Sequence, residues 1–137
     1  MSHLDIKSIV SSRWAAFFAV QAALSVAAGA FGAHALTEIL DFKALGWWHT
    51  ASQYLMYHAL AGLISAGLFS YLPSYKSILI LFFAGNTLFA GSLYIMALTG
   101  YTFLGVITPL GGLCYLLAWS NLAFRLWQFK NTDNSQD

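Results

Sequence analysis

The sequence predicts an all-α integral membrane protein, a four-helix bundle whose two termini both face the cytoplasm. Charged residues make up only 8% of its 137 residues, and hydrophobic residues make up 59%. Three long stretches contain no Asp, Glu, Lys or Arg: Trp14–Thr37, Ala44–Tyr75 and Ser77–Phe124. A water-soluble domain of this length would carry charges over its whole surface, so the hydrocarbon core of a bilayer is the solvent that explains the pattern.

These stretches divide into four helices that are long enough to cross a membrane, which takes about 20 apolar residues. The second stretch is closed by Pro73, where a helix does not easily continue. The last stretch is long enough for two crossings and divides at residues 99–102, Thr-Gly-Tyr-Thr. The predicted spans are about 14–36, 50–72, 77–98 and 103–127.

The spans form a single domain over residues 1–130, and the polar tail 131–137 is expected to be disordered. Lys and Arg in short loops favour the cytoplasmic side of a membrane. With four spans, the two termini and the loop after the second span share one side, and only Lys43 lies on the other. The basic residues of the shared side are Lys7, Arg13, Lys76, Arg125 and Lys130.

The N-terminal half allows a second interpretation. A basic N-terminus and the small residues 33–35 resemble a cleavable signal peptide, but the apolar run is about twice the usual length of such a core. We therefore expect a retained span. The connector 37–48 mixes apolar and charged residues, which predicts a short helix on the outer membrane surface, anchored by Trp47 and Trp48.

Small residues predict the helix-packing faces. Helices in lipid gain little from hydrophobic burial, so close backbone approach has to hold them together. The predicted face of the first span is Ala15, Ala19, Ala22, Val26, Gly29 and Ala33. The predicted face of the third span is Ala84, Leu88, Gly91 and Ile95. Such faces pack either within one subunit or between copies of the chain.

The fourth span is interrupted by Pro109, followed at once by Gly111 and Gly112. A kinked helix is the preferred interpretation, because proline removes the hydrogen bond to the Gly105 carbonyl. In the alternative, Thr108 caps a helix that begins at the proline. Irregular backbone at this depth must be buried in protein or face water, so this segment is the best indication of a cavity.

Two polar residues are predicted to lie near the middle of the bilayer. His58 lies about 12 Å below a helix start near residue 50. An ionisable residue at that depth indicates either a functional site or a hydrogen bond to a neighbouring helix. Asn86 lies at a similar depth in the third span and is the predicted partner of His58. His34 ends the first span, where its charge would complement the helix C-terminus.

Several classes of function are excluded by what the chain lacks. The sequence has no His-x-x-x-His or Cys-x-x-Cys spacing, so no metal site and no cofactor is predicted. A net charge of +1 without a basic patch argues against nucleic acid as a partner. All five acidic residues lie outside the predicted spans, and no catalytic constellation is present, so we do not predict an enzyme.

Several short motifs together resemble one known family. They are Gly-Ala-Phe-Gly-Ala-His-Ala-Leu at 29–36, Thr-Ala at 50–51 with Tyr54, His-Ala-Leu at 58–60, Gly-Ser-Leu-Tyr at 91–94, Ala-Leu-Thr-Gly at 97–100 and Ile-Thr-Pro-Leu-Gly-Gly at 107–112. Over about residues 10–127 the chain resembles domain-of-unknown-function family 423, small bacterial inner-membrane proteins similar to the eukaryotic transmembrane protein 256 group. The resemblance implies four helices in the bacterial inner (plasma) membrane and implies no reaction. In one departure, Leu55 stands where members often carry Gln.

The motif residues suggest a shallow polar pocket on the outer side of the membrane. Its predicted members are His34, Tyr54, His58, Ser92 and Thr108. The leading hypothesis is a small accessory protein that contacts lipids or a protein partner, as a homo-oligomer or within a larger membrane complex. The alternative is a small-solute or proton-coupled transporter acting as a homo-oligomer, because a broken helix beside a midplane histidine is typical of transport sites. A membrane enzyme with a histidine base would lack an evident nucleophile.

Overall fold

A computed structural model describes residues 3–133 of the chain and the side chains of residues 11–128. Within this part every regular element is helical, so the all-α prediction is confirmed. Short 3₁₀ turns, Leu36–Glu38 and Thr102–Val106, lie in two of the connections. The four long helices are α1 (His3–Ala33), α2 (Phe42–Leu68), α3 (Tyr75–Thr99) and α4 (Thr108–Asp133).

Three segments of the described chain are long and apolar enough to cross a membrane. They are Ser11–Ala33, Tyr75–Thr99 and Thr102–Gln128. Helix α2 is not among them, although it was predicted as a span, because its N-terminal half includes polar side chains such as those of His49, Ser52 and Gln53. Length and composition therefore support three of the four predicted crossings.

Helix α2 begins earlier than predicted and takes up much of the connector. The Asp41 carboxylate accepts a hydrogen bond from the Ala44 backbone N–H at 2.7 Å, which caps the helix at its N-terminus. The separate surface helix predicted over 37–48 is thus wrong. Trp48 packs back against α1, where its indole Nε1–H donates to the Ala28 carbonyl at 2.7 Å.

Helix α3 contains one π-helical turn, Asn86–Ala90, between two α-helical segments. A π turn widens the backbone locally and often marks a functional position. Helix α4 lies very close to this turn, since a Cβ atom on Gly111 would sit 2.4 Å from the Phe89 backbone nitrogen. Only glycine permits that approach.

The break in the fourth span lies at the start of α4, so the preferred interpretation of a kinked helix is wrong. The Ile107 carbonyl accepts hydrogen bonds from the N–H groups of Leu110 and Gly111, and the helix runs on from there. Pro109 lies in the first turn, where its missing N–H would have no partner in the helix. At the other end α4 continues to Asp133, into the predicted tail, and residues 134–137 lie outside the described part.

Aromatic rings fill notches at glycines where the helices meet. The Phe18 ring of α1 lies over Gly62 of α2, where a Cβ atom would be 2.3 Å from the ring. Trp48 covers Gly32 in the same way, and Tyr115 of α4 covers Gly85 of α3. These contacts replace the predicted backbone approach of smooth alanine faces.

Within one chain the predicted packing faces are only partly buried, and their packing between copies stays a prediction. On α1 the buried line is Phe18, Ser25 and Gly32, rotated by about 80° from the predicted face. Val26 of the predicted face is 62% exposed, and Ile95 of the predicted α3 face is 49% exposed.

We expect Gly62→Ala to destabilise the protein by about 1–3 kcal/mol, because the new methyl group overlaps the fully buried Phe18 ring. Gly67→Ala in the same helix is the matched control. Nothing lies within 4 Å of its new methyl group, so it should be neutral or stabilising. Melting temperatures in detergent measure the stability of both variants. Equal values would contradict the close packing of the Phe18 ring on Gly62.

Candidate functional site

A layer of polar side chains crosses the bundle at the middle of its helices. Gln21, His58, Asn86 and Tyr115 come from α1, α2, α3 and α4 respectively. Tyr115 lies 13 residues from each end of the segment Thr102–Gln128, and Asn86 is similarly central in α3. Hydrocarbon offers no hydrogen-bond partners, so these groups must satisfy one another.

Asn86 holds three of the helices together within this layer. Its side chain is 2% exposed. The Asn86 side-chain NH₂ donates to Oε1 of Gln21 at 2.8 Å, and the Tyr115 hydroxyl donates to Oδ1 of Asn86 at 2.9 Å. The predicted hydrogen bond between Asn86 and His58 is absent from the described side chains, because Tyr115 takes the place that His58 was expected to fill.

His58 is held by its own helix and by the Tyr115 ring. Its Nδ1–H donates to the Tyr54 carbonyl, one turn earlier, at 2.8 Å. Its ring stacks on that of Tyr115 with centroids 3.4 Å apart and planes 10° apart. The ring is therefore fixed in position, and Nε2 has no hydrogen-bond partner among residues 11–128.

A cavity of about 500 Å³ lies beside His58, between α2, the π turn of α3 and α4. Its volume falls in the range typical of sites for small molecules. Its lining contains no Asp, Glu, Lys, Arg or Cys. The residues of this cavity, called here the α2–α4 groove, are Tyr54, His58, Phe89, Pro109, Gly112, Leu113, Tyr115, Leu116 and Trp119.

A second cavity, of about 390 Å³, lies on the other side of the polar layer, between α1, α2 and α3. Gln21 and Asn86 line it together with mostly apolar residues. Tyr115 lines the groove and Asn86 lines this second cavity, so the hydrogen bond between them joins residues of the two cavities.

The structure brings together only part of the predicted pocket. Tyr54 and His58 share the groove with Pro109 and Gly112. The rings of Tyr54 and His58 stack with their centroids 5.9 Å apart. The Ser92 and Thr108 hydroxyls lie 2.7 Å apart and hydrogen-bond to each other, joining α3 to the start of α4.

His34 lies apart from these residues, at the end of α1, in a small apolar depression with Phe31. Gly105 packs near the Met96 side chain and does not line the groove, and Gly111 contacts Phe89 instead. The groove is also central in the helices, whereas the predicted pocket was shallow and on the outer side.

Sequence reasoning missed Gln21 and Tyr115. Gln21 carried a usable signal, since it is the one amide side chain in an uncharged stretch of α1. Tyr115 carried none, because its neighbours are apolar and tyrosine is common in membrane helices. Among the described residues, no cluster of three His, Cys, Asp or Glu could hold a metal ion.

Comparison with known proteins adds the family. A family described as "Protein of unknown function (DUF423)" matches residues 28–112, which include α2, α3 and the start of α4. The chain belongs to this family. Members of the family therefore share the segment that carries His58, Asn86 and the break at Pro109.

Curated relatives within the family are described as membrane proteins. The UPF0382 membrane protein YwdK of Bacillus subtilis is 46% identical over 74% of this chain and 85% of its own length. A UPF0382 membrane protein of Haemophilus influenzae is 36% identical over 89% of this chain and 99% of its own. The UPF0382 inner membrane protein YgdD of Escherichia coli is 36% identical over 76% and 81%. No solved structure matches the chain.

We expect Tyr115→Phe to lower the free energy of unfolding by about 1 kcal/mol, because the Asn86 carbonyl oxygen loses its donor while the ring remains. Tyr101→Phe, at a residue that is 71% exposed, is the control and should leave the free energy of unfolding unchanged. Unfolding in mixed micelles measures both variants.

A double-mutant cycle with Asn86→Leu isolates the interaction. Additive effects of Tyr115→Phe and Asn86→Leu would contradict a hydrogen bond between these side chains.

Proposed function

We propose that this protein is a four-span protein of the bacterial inner membrane with both termini in the cytoplasm. The three apolar segments and the membrane-protein relatives support this topology. Helix α2 supports it as well, because it packs antiparallel along α1 over most of its length. The Ser11 hydroxyl donates to the Ala66 carbonyl near one end, and Trp48 donates to the Ala28 carbonyl near the other. Two helices that pack side by side over most of their length span the same thickness of the membrane.

Reporter fusions test this topology. Fusions after residues 72 and 133 should report the cytoplasm, and fusions after residues 38 and 101 should report the outer side, because the loop carrying Lys76 is basic and the final loop is uncharged. Opposite locations for the fusions after 72 and 133 would contradict four crossings.

We further propose that the protein is a small accessory membrane protein that binds a lipid-like molecule or contacts a partner through the α2–α4 groove. One observation carries the proposal: the groove is a mostly apolar cavity with a few polar atoms that have no hydrogen-bond partner among residues 11–128, foremost Nε2 of His58. Sites for small molecules have this composition, with apolar walls and a few placed polar groups. Leu113 and Leu116 of the groove are 52% and 66% exposed, so the cavity opens on the surface of the bundle.

A photoreactive amino acid at Leu116 tests this binding in intact cells. A site-specific occupant predicts an adduct of one or a few defined masses at Leu116. The matched control is Val20, a 57% exposed residue of α1 outside the groove, which should capture the average lipid composition. Identical adducts at the two positions would overturn the proposal.

A transporter acting as a homo-oligomer is the second candidate. The observation that favours it is that Tyr115 lines one cavity and Asn86 lines another, and that the side chains of these two residues are hydrogen-bonded to each other. Solute or proton flux in proteoliposomes separates this candidate from an accessory protein.

A further inference from the structure

The tautomer of His58 decides what the groove recognises. A backbone carbonyl only accepts hydrogen bonds, so Nδ1 of His58 must carry the proton that it shares with the Tyr54 carbonyl. In the neutral ring, Nε2 then holds a lone pair and is an acceptor. The residue is 7% exposed and lines the groove, and this acceptor lacks a donor among residues 11–128.

The surroundings exclude a charged occupant. No Asp, Glu, Lys or Arg lines the groove, and His58 is 16 residues from the start of α2 and 10 from its end. A charged headgroup placed here would have no counter-ion, which is costly at the centre of a bilayer. The group that donates to Nε2 should therefore be neutral.

The remaining walls suit an apolar chain or ring. The Tyr54 and Phe89 rings stack with centroids 4.8 Å apart on one side, and Trp119 and Pro109 lie on α4. The exposed Leu113 and Leu116 lie on the side that faces lipid in the proposed topology. A molecule dissolved in the bilayer thus reaches the groove without crossing water.

We infer that the α2–α4 groove binds a neutral membrane amphiphile, an apolar chain or ring with a hydroxyl group that donates a hydrogen bond to Nε2 of His58. The Tyr54 hydroxyl, which has no hydrogen-bond partner among residues 11–128, is a second polar group on the same wall. This inference rests on the proposed groove function and adds the chemical class of its occupant.

A matched pair of probes tests the inference: a long-chain alcohol that carries a diazirine, and the methyl ether of the same alcohol. The ether keeps the acceptor oxygen but has lost the donor. In proteoliposomes the alcohol should label the α4 segment 113–119 with an apparent affinity roughly two- to ten-fold higher than the ether, which is the range that one neutral hydrogen bond supplies.

Histidine variants assign the difference to one atom. His58→Phe keeps a flat ring against Tyr115 but removes the acceptor, so the ratio of alcohol to ether should fall to about one. His49→Phe is the control on the same helix, at a residue outside the groove, and should keep the ratio. A second readout needs no variant, since the alcohol should raise the melting temperature of the unmodified protein more than the ether does.

The outcomes separate the two proposals. Labelling of 113–119 with equal affinity for alcohol and ether, or a ratio that His58→Phe leaves unchanged, would overturn the hydroxyl inference while the groove itself stands. No labelling of this segment by either probe would overturn the groove as a binding site and the inference with it. A ratio that depends on His58 supports both.

Discussion

The Tyr115 side chain makes the contacts on which the arrangement of the other helices depends. Its ring rests on Gly85 of α3, its face stacks on His58 of α2 at 3.4 Å, and its hydroxyl donates to Asn86. Helices in lipid are not driven together by water, so shape and hydrogen bonds must set their register. Because Tyr115 packs against both α2 and α3 and also hydrogen-bonds to α3, it fixes the rotation of α4 against these two helices.

The same hydrogen bonds explain why the groove contains an acceptor without a donor at this depth. Asn86 receives a donor from Tyr115 and gives one to Gln21, so the polar layer is satisfied on the side of α1 and α3. On the side of α2, the neutral His58 ring donates its one N–H to the Tyr54 carbonyl of the same helix. The groove therefore presents an acceptor, Nε2 of His58, that has no donor among residues 11–128.

The break before α4 and the π turn of α3 complete the groove. Starting α4 at Thr108 places Pro109 and Gly112 on its wall, and the widened turn at Asn86–Ala90 brings Phe89 onto the opposite wall. Both irregularities lie within the segment shared across the family.

The sequence by itself determined the solvent, the helical class and the approximate limits of α3, because the absence of charge over long stretches is a local property that lipid imposes directly. It also indicated His58 and the irregular segment around Pro109, since polar and helix-breaking residues are rare at that depth. Only the tertiary structure decided that Tyr115, and not His58, meets Asn86, and that rings in glycine notches, and not alanine faces, join the helices. Those choices depend on how each helix is rotated about its axis, which is set by side chains on other helices and leaves no trace in the local sequence.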